Sequence, residues 1–389
     1  MSVSGNFYQE DSLEYHPLRL ATRALVAATC LLATSLAPIA SAADLDYGKP
    51  GTPINLIVGY QPYYTQSWSG VVMRGKEMWK KYLPPGSTVD FQVGLQGAII
   101  VNAMLAGKQH IGYMGDMPAI VSTTKQDVAD IRLIAVLGLG HDQCNIFLAR
   151  NDAPQFKTAK EALAWLNGKQ VAVPKGSCTD RFAQAVFKKE KVEPAAYLNQ
   201  NIEVITSNFR AGKIDAAVIW EPTASRLVSE GLARRIASGA SVDENDAALM
   251  GARYDLITQR PDVIKGWLNA ELDAELFAAD PKNAREVAKM AAAQTTGFSE
   301  KVMWMALYGK YPEAQGGDPI RNSYEFAFTA PSLELINRAA AFLFSIKSIN
   351  VEKLRPEAVM PEFTQQILKE RNLTAPIGKV TGVPESEFK

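Results

Sequence analysis

The sequence predicts an α/β fold with two lobes and a cleft between them. The first observation is the stretch 209–222, where Gly212 ends a helix and a short apolar run, 216–220, follows. Such a run is typical of a strand that is buried on both faces. The second observation is that the same order, with Gly-Lys, an apolar run and a turn ending in proline, occurs about 105 residues earlier, in 103–118. Two such units indicate two similar lobes that face each other.

Length, charge and motifs exclude several functional classes. The chain has 389 residues, which favours two domains or lobes, and its formal net charge is zero. Because phosphate binding requires an excess of basic residues, we expect no nucleic-acid partner. The absence of a P-loop and of a G-x-S-x-G motif argues against an ATPase or a triad hydrolase. We also expect no cofactor and no metal, since the best grouping, His141, Asp142 and Cys144, is better explained as a hinge loop.

The N-terminus has the features of an export signal. Arg19 and Arg23 precede an apolar stretch, 24–39, which is too short for a comfortable transmembrane helix. The small residues at 40–42 are those that signal peptidase requires. We therefore predict a cleavable signal peptide over 1–42 and a mature protein that is soluble in the periplasm.

The mature chain would keep two cysteines, Cys144 and Cys178, for which three interpretations are open. In an oxidising compartment they can form a disulfide. They can also be inert buried thiols, because a free cysteine packs as a small hydrophobic side chain. The third interpretation is a nucleophile, which would require a nearby base.

The first lobe is predicted to contain residues 53–138 and 235–345. Its strands are short apolar runs, and its helices follow polar or Gly-rich loops. We predict strands at 54–60, 89–93, 111–114 and 131–137, and helices at 67–82, 98–106 and 119–124. The chain is then expected to cross between the lobes at 138–143.

The second lobe is predicted to contain residues 142–233. We expect strands at 145–150, 170–173, 202–205 and 216–220, and helices at 158–166, 181–189 and 222–230. The run 234–237 is predicted to return to the first lobe, and helices follow at 261–279, 283–295, 299–308 and 333–344. Residues 346–389 are expected to form a C-terminal helix and a loose surface tail.

Loops at the ends of the predicted strands carry most of the candidate binding residues. Ligands of open α/β sheets lie at such ends, and a pocket with an apolar wall and a few polar groups suits a small molecule. The candidates are Gln61, Tyr63, Tyr64, Gln96, Gly115, Asp116, Met117, His141, Asp142, Ser177, Cys178, Thr179, Asn208, Trp220 and Glu221. Two alternatives are that Trp220 belongs to the core and that Glu221 caps the next helix.

These segments resemble the solute-binding proteins of ABC importers, in the branch that takes up nitrate, sulfonates, taurine and thiamin-pyrimidine precursors. The resemblance depends on 56–60, Gly94 with 102–107, 115–118, 169–177 and 212–222. It implies a type II periplasmic-binding-protein fold, in which two lobes joined by two crossings close on a ligand. It also implies a membrane permease as partner, and we expect the protein to be a monomer without catalytic residues.

Two other functions remain open under this resemblance. An enzyme of the same fold, similar to a sulfinate desulfinase, would use Cys178 as its nucleophile. An exported sensor would present its ligand to a membrane kinase. Because Asp116 and Glu221 would face an anion unfavourably and Trp220 would suit a ring, the sequence favours an organic ligand with a ring over nitrate.

Overall fold

The computed structural model describes residues 45–388, so the predicted signal peptide lies outside the described part. The strands are β1 Asn55–Tyr60, β2 Thr88–Val93, β3 Ile111–Gly115, β4 Ile131–Gly140, β5 Ile146–Arg150, β6 Gln170–Val173, β7 Ala196–Asn199, β8 Ala216–Ile219, β9 Ala233–Ser238, β10 Asp246–Arg253, β11 Ile320–Tyr324 and β12 Gly378–Thr381. The helices are α1 Ser69–Lys76, α2 Gly97–Leu105, α3 Asp116–Thr123, α4 Ala159–Trp165, α5 Cys178–Glu190, α6 Ile202–Arg210, α7 Thr223–Ser229, α8 Tyr254–Gln259, α9 Pro261–Ala279, α10 Ala284–Ala293, α11 Glu300–Tyr308, α12 Ala330–Ser345 and α13 Glu362–Glu370.

The strands form two sheets, which confirms the predicted fold class. The first sheet has the order β12-β11-β4-β10-β3-β1-β2, and the second has the order β7-β6-β8-β5-β9. β1 pairs in parallel with β2 and β3, and β6 pairs in parallel with β7 and β8. β10 and β5 are antiparallel to both of their neighbours. Strands such as β3 and β8 are buried along their whole length, which explains their continuous apolar sequences.

Two short segments, 141–145 and 239–245, cross between the sheets and contact each other. The amide of Gly239 donates to the carbonyl of Asn145 at 3.0 Å, and Asn145 Nδ2 donates to the carbonyl of Glu244 at 3.1 Å. A Cβ atom at position 239 would overlap the carbonyl oxygens of His141 and Glu244. The close approach of the two crossings therefore requires glycine at this position.

The prediction that 234–237 returns to the first lobe is wrong. β9 pairs antiparallel with β5 and lies in the second sheet, and the chain crosses back only after Ser238. The apolar pattern of this run predicts a strand. It does not identify the neighbouring strand, because β5 lies far away in the sequence.

The strand predicted at 202–205 is also wrong, because these residues begin α6. The side chain of Asn201 caps the helix by accepting a hydrogen bond from the amide of Val204 at 2.9 Å. Ile202, Ile205 and Phe209 are buried at helical spacing. The helical period and the cap thus outweigh the β-branched composition of this segment.

The C-terminal tail is ordered against the first sheet, so the prediction of a loose tail is wrong. β12 pairs antiparallel with β11, and the amide of Ile377 donates to the carbonyl of Tyr324 at 2.8 Å. The predicted helix 67–82 ends at Lys76, since Glu77 has a left-handed φ of 50°. The sequence pattern also did not predict β7, β10, β11, β12 or α8. Within residues 45–388, no helix combines the length and the apolarity that crossing a membrane requires.

Candidate ligand-binding site

A pocket lies between loops of the two sheets. One wall is formed by segments that follow β1, β2 and β3, and the other by segments that follow β6 and β8. The lining residues are Gln61, Tyr64, Gln96, Gly97, Ala98, Gly115, Pro118, Pro174, Lys175, Gly176, Ser177, Cys178 and Trp220. The parallel strands of both sheets thus end at the pocket, as expected for open α/β sheets.

Three helices begin at this pocket. The residues that precede α2, α3 and α5 are Gln96, Gly115 and Ser177, and each of them lines the pocket. The first amides of a helix have no acceptor within the helix, and the macrodipole gives this end a partial positive charge. Three such ends around one cavity create a potential that favours an anion.

The formal charge of the pocket wall is also positive. Lys175 lines the pocket, and none of the described lining residues is Asp or Glu. The Lys175 side chain is exposed, with its Nζ atom 5.2 Å from the centre of the Tyr197 ring. An anion at this wall would therefore meet Lys175 and three helix ends. Two of these helices carry a carboxylate in the first turn, Asp116 in α3 and Asp180 in α5.

Tyr64 and Trp220 provide aromatic surfaces in the pocket. The indole N–H of Trp220 donates to the carbonyl of Tyr63 at 3.1 Å, which fixes the orientation of the ring. Gln61 Nε2 donates to the carbonyl of Tyr113 at 3.1 Å. Because these side chains are buried and already hydrogen-bonded, binding would require little further ordering of the wall.

Asp116 does not line the pocket, although Gly115 beside it does. Its carboxylate is buried and accepts hydrogen bonds from Arg181 Nη2 at 3.2 Å and from the amide of Met117 at 2.7 Å. Burial raises the pKa of Asp116, and the charge of Arg181 opposes this rise. Arg181 also donates to the carbonyl of Asn245 at 2.7 Å. The ion pair therefore links α3, α5 and the second crossing.

Asp142 and Glu221 lie in a buried cluster with two arginines. Arg235 donates to Glu221 at 2.9 Å and to Asp142 at 3.1 Å, and Arg321 pairs with Asp142. The charges of the four side chains cancel, and burial raises the pKa of Glu221 to about 7. Glu221 also accepts from the amide of Ser225 at 2.8 Å, as the helix-cap alternative requires. Arg235 and Arg321 come from different sheets, so the cluster joins the two sheets.

Tyr63 and His141 are placed outside the pocket lining. The Tyr63 hydroxyl accepts a hydrogen bond from the amide of Thr296 at 3.0 Å and borders a neighbouring cavity. His141 Nδ1 lies 2.8 Å from Asp318 Oδ2, and this hydrogen bond raises the pKa of His141. Both side chains therefore have partners within the protein.

Three further candidates are held by their neighbours. Met117 is buried in the apolar core. The hydroxyl oxygens of Thr179 and Ser177 are 2.6 Å apart, and Asn208 Nδ2 donates to Gln200 Oε1 at 2.9 Å. The structure thus brings seven of the predicted residues together at the pocket: Gln61, Tyr64, Gln96, Gly115, Ser177, Cys178 and Trp220.

Cys144 and Cys178 form a disulfide, with Cα atoms 6.2 Å apart. Cys144 lies in the first crossing, and its amide donates to Asp246 Oδ2 at 2.6 Å. Cys178 is the first residue of α5 and lines the pocket. The bridge attaches the start of a pocket helix to the crossing, and in this state Cys178 presents no thiolate to the pocket.

Sequence reasoning missed Ala98, Pro118 and Pro174, which also line the pocket. Each lies within three residues of a helix start or a strand end, so the position of these boundaries was the available signal. Within residues 45–388, no group of three or more His, Cys, Asp or Glu residues is arranged to hold a metal ion.

Comparison with known proteins gives consistent similarities. The model of the NMT1-like family matches residues 49–292. The taurine-binding periplasmic protein of Escherichia coli K12 is 25% identical over 248 residues, which cover 61% of this chain and 72% of that protein.

Solved structures share the fold. The alkanesulfonate-binding protein SsuA from Xanthomonas axonopodis pv. citri, bound to MOPS, has a TM-score of 0.61 and 17% identity, covering 80% of this chain and 99% of its own. The desulfurization enzyme DSZB has a TM-score of 0.58 and 16% identity, with coverages of 82% and 99%. Both binding proteins and an enzyme therefore have this fold. The choice between these two functions depends on the residues of the pocket.

Proposed function

Because this chain belongs to the NMT1-like family, we propose that it is an exported solute-binding protein that delivers a small organic anion to an ABC permease. The observation that carries the proposal is the pocket where α2, α3 and α5 begin, since it combines three positive helix ends with Lys175. The ligand would lie between the two sheets, and the closed form would dock on the permease.

A sulfonate is the ligand class that this pocket fits best. Three oxygens on one negatively charged centre can accept hydrogen bonds from several helix amides at once. The organic part would contact the aromatic surfaces of Tyr64 and Trp220.

The same electrostatics disfavour a zwitterion such as taurine. Its ammonium group would gain most from a carboxylate, and none of the described residues lining the pocket carries one. Asp116 and Glu221, which in the sequence were expected to face an anion unfavourably, have Arg181 and Arg235 as partners. These pairings support an organic anion, such as a sulfonate, as the ligand.

Export to the periplasm is part of this proposal. It is supported by the predicted signal peptide at 1–42 and by the periplasmic relative. A disulfide between Cys144 and Cys178 is compatible with such an oxidising compartment. A permease is the partner that a binding protein of this kind requires.

Thermal unfolding of the mature protein with a ligand panel tests this function. The panel contains alkanesulfonates, nitrate, taurine, amides and pyrimidines. A ligand at 100 times its Kd adds about 2.7 kcal/mol of stability, which gives a clear shift in Tm. We expect the largest shifts with alkanesulfonates. Shifts restricted to amides or pyrimidines, or no shift with any anion, would contradict the proposal.

An enzyme that uses Cys178 is the second candidate, because this residue lines the pocket at the start of a helix. A helix start lowers the pKa of a thiol and favours the thiolate. The reaction would convert an aryl sulfinate and water into the arene and hydrogen sulfite. We expect no sulfite from the oxidised protein, because its Cys178 sulfur is bonded to Cys144. Sulfite released by the reduced protein, and lost in Cys178→Ser, would favour the enzyme.

A further inference from the structure

A second cavity adjoins the ligand pocket. It is lined by segments that follow β1, β2 and β8, by the start of α6, and by the turn between α10 and α11. Its lining residues are Tyr63, Leu95, Ile202, Glu203, Trp220, Thr223, Arg226, Thr296 and Phe298. The side chain that lines both this cavity and the ligand pocket is Trp220.

Trp220 is held in its position between the two cavities. The side chain is 7% exposed, and its indole N–H donates to the carbonyl of Tyr63 at 3.1 Å. Tyr63 in turn accepts from the amide of Thr296 and packs edge-on against Phe298, with ring centres 5.7 Å apart. The indole ring is thus held by a residue that lines the second cavity, and Trp220 also lines the ligand pocket.

The second cavity has the chemistry of an aromatic binding surface. The guanidinium carbon of Arg226 lies 4.6 Å from the centre of the Phe298 ring, and the buried Arg226 Nε has no hydrogen-bond partner. Tyr63, Phe298 and Arg226 therefore bring two aromatic rings and a guanidinium to this cavity, groups that an aromatic ring can contact. Arg226 Nε also lies 3.9 Å from the carboxylate of Glu230. Glu203 is exposed at the rim, which disfavours a second anionic group there.

We propose that Trp220 is the specificity-determining residue of the pocket, and that its indole separates the anion site from an aromatic subsite. This inference rests on the proposed function. In the wild-type protein, the indole limits the ligand to a compact anion. Truncation of Trp220 would join the two cavities and admit an anion that carries an aromatic ring.

The test compares the Kd values of methanesulfonate and naphthalene-2-sulfonate, measured by calorimetry, in the wild type and two variants. We expect Trp220→Ala to shift the preference toward naphthalene-2-sulfonate by about tenfold or more. Trp220→Phe should give a smaller shift in the same direction, and it keeps an aromatic cover if the alanine variant folds poorly. Trp165→Ala, a truncation at a residue that lines neither cavity, should leave the preference unchanged.

A further variant tests whether the naphthalene ring binds in the second cavity. Thr296 is exposed and lines the second cavity, so Thr296→Trp should fill the cavity without disturbing the core. Added to Trp220→Ala, it should cancel the shift. An unchanged preference in both Trp220 variants, while they still bind methanesulfonate, would overturn the inference alone. A wild-type protein that binds neither sulfonate would overturn the proposed function, and this inference with it.

Discussion

Glu271 and Glu275 are two buried carboxyl groups one turn apart on α9. Glu271 accepts a hydrogen bond from the Tyr113 hydroxyl at 2.6 Å. Burial raises the pKa of Glu271 to about 7. Burial and the charge of Glu271 raise the pKa of Glu275 well above its ordinary value. An ordinary Glu has a pKa of about 4.3, so the unfolded chain releases these two protons near that pH. The folded protein keeps them to a higher pH.

Stability should decrease as the pH rises from about 5 to about 8, because carboxyls with raised pKa values bind their protons more tightly in the folded state. Glu275→Gln should reduce this slope and stabilise the protein at about pH 8, by about 1.4 kcal/mol for each unit of pKa shift removed. Urea unfolding at both pH values measures the effect. The exposed Glu286→Gln serves as control and should leave the slope unchanged. Stability that rises over this pH range would contradict the account.

Arg235 is the residue on which the balance of the buried cluster depends. Arg235→Met would leave Asp142 and Glu221 with Arg321 as their only remaining guanidinium partner in the cluster. We expect a loss of about 3–5 kcal/mol in chemical denaturation, because a buried charge loses its partner.

Two further variants test the cause of this loss of stability. Adding Glu221→Gln to Arg235→Met should recover part of the stability, since it restores the charge balance. Arg210→Met breaks an exposed ion pair with Glu230 and should cost less than about 1 kcal/mol. An equally small cost for Arg235→Met would show that the buried cluster does not stabilise the fold.

Three acidic residues show how much of the site could be predicted from single positions in the sequence. Asp116, Asp142 and Glu221 were recognisable as carboxylates near strand ends, and the structure places all three close to the pocket loops. Their arginine partners could not be recognised, because Arg181, Arg235 and Arg321 are distant in sequence. The sequence therefore suggested an acidic cleft, whereas the pocket lining itself is free of carboxylates over the described residues.

Elements were predictable where their signals are local. Gly212 has a positive φ and follows α6, and β8 comes directly after it, as the sequence indicated. The pairing of β9 and the edge strand β12 depends on residues that are far apart in the chain, and those predictions failed. The pocket loops follow β1, β3, β6 and β8, which were all recognisable, and this explains why much of the site could be found.

Gly239 tests the packing of the two crossings. Gly239→Ala should be strongly destabilising, because its Cβ would overlap two backbone carbonyls, of His141 and Glu244, which cannot turn away as a side chain can. We expect a loss of several kcal/mol, beyond the roughly 1 kcal/mol typical of point variants.

Gly75→Ala provides a matched control for this variant. Gly75 lies in α1, and the added Cβ would meet the flexible side chain of Met290. Alanine is also the better helix former, so the change should be close to neutral. Melting temperatures of the two variants measure the difference, and similar values would contradict the close packing of the crossings.

The disulfide can be tested by counting thiols in exported, mature protein that is denatured without reductant. We expect no alkylatable cysteine, because Cys144 and Cys178 are bonded. The bridge closes a segment with a sequence separation of 34, so its loss should cost about 3–4 kcal/mol in the chain-entropy model. Cys144→Ser with Cys178→Ser measures that cost. Two reactive thiols in the denatured, unreduced protein would contradict the assignment.

At the scale of the whole molecule, the pocket combines contributions from both sheets. α2 and α3 begin on the side of the first sheet, and α5 begins on the side of the second. An anion bound to all three helix ends would hold the two sides together. The crossings and the Arg235 cluster also connect the sheets, so ligand-linked closure would occur about this region.

Calorimetric titration with methanesulfonate and dimethyl sulfone tests the central claim most directly. The two molecules have nearly the same shape, and they differ in that a charged oxygen replaces a methyl group. If the three helix ends and Lys175 bind an anion, methanesulfonate should bind at least about 100-fold more tightly, a difference of about 2.7 kcal/mol. Equal affinity for the two molecules, or binding of the sulfone alone, would contradict the claim that the pocket selects negative charge.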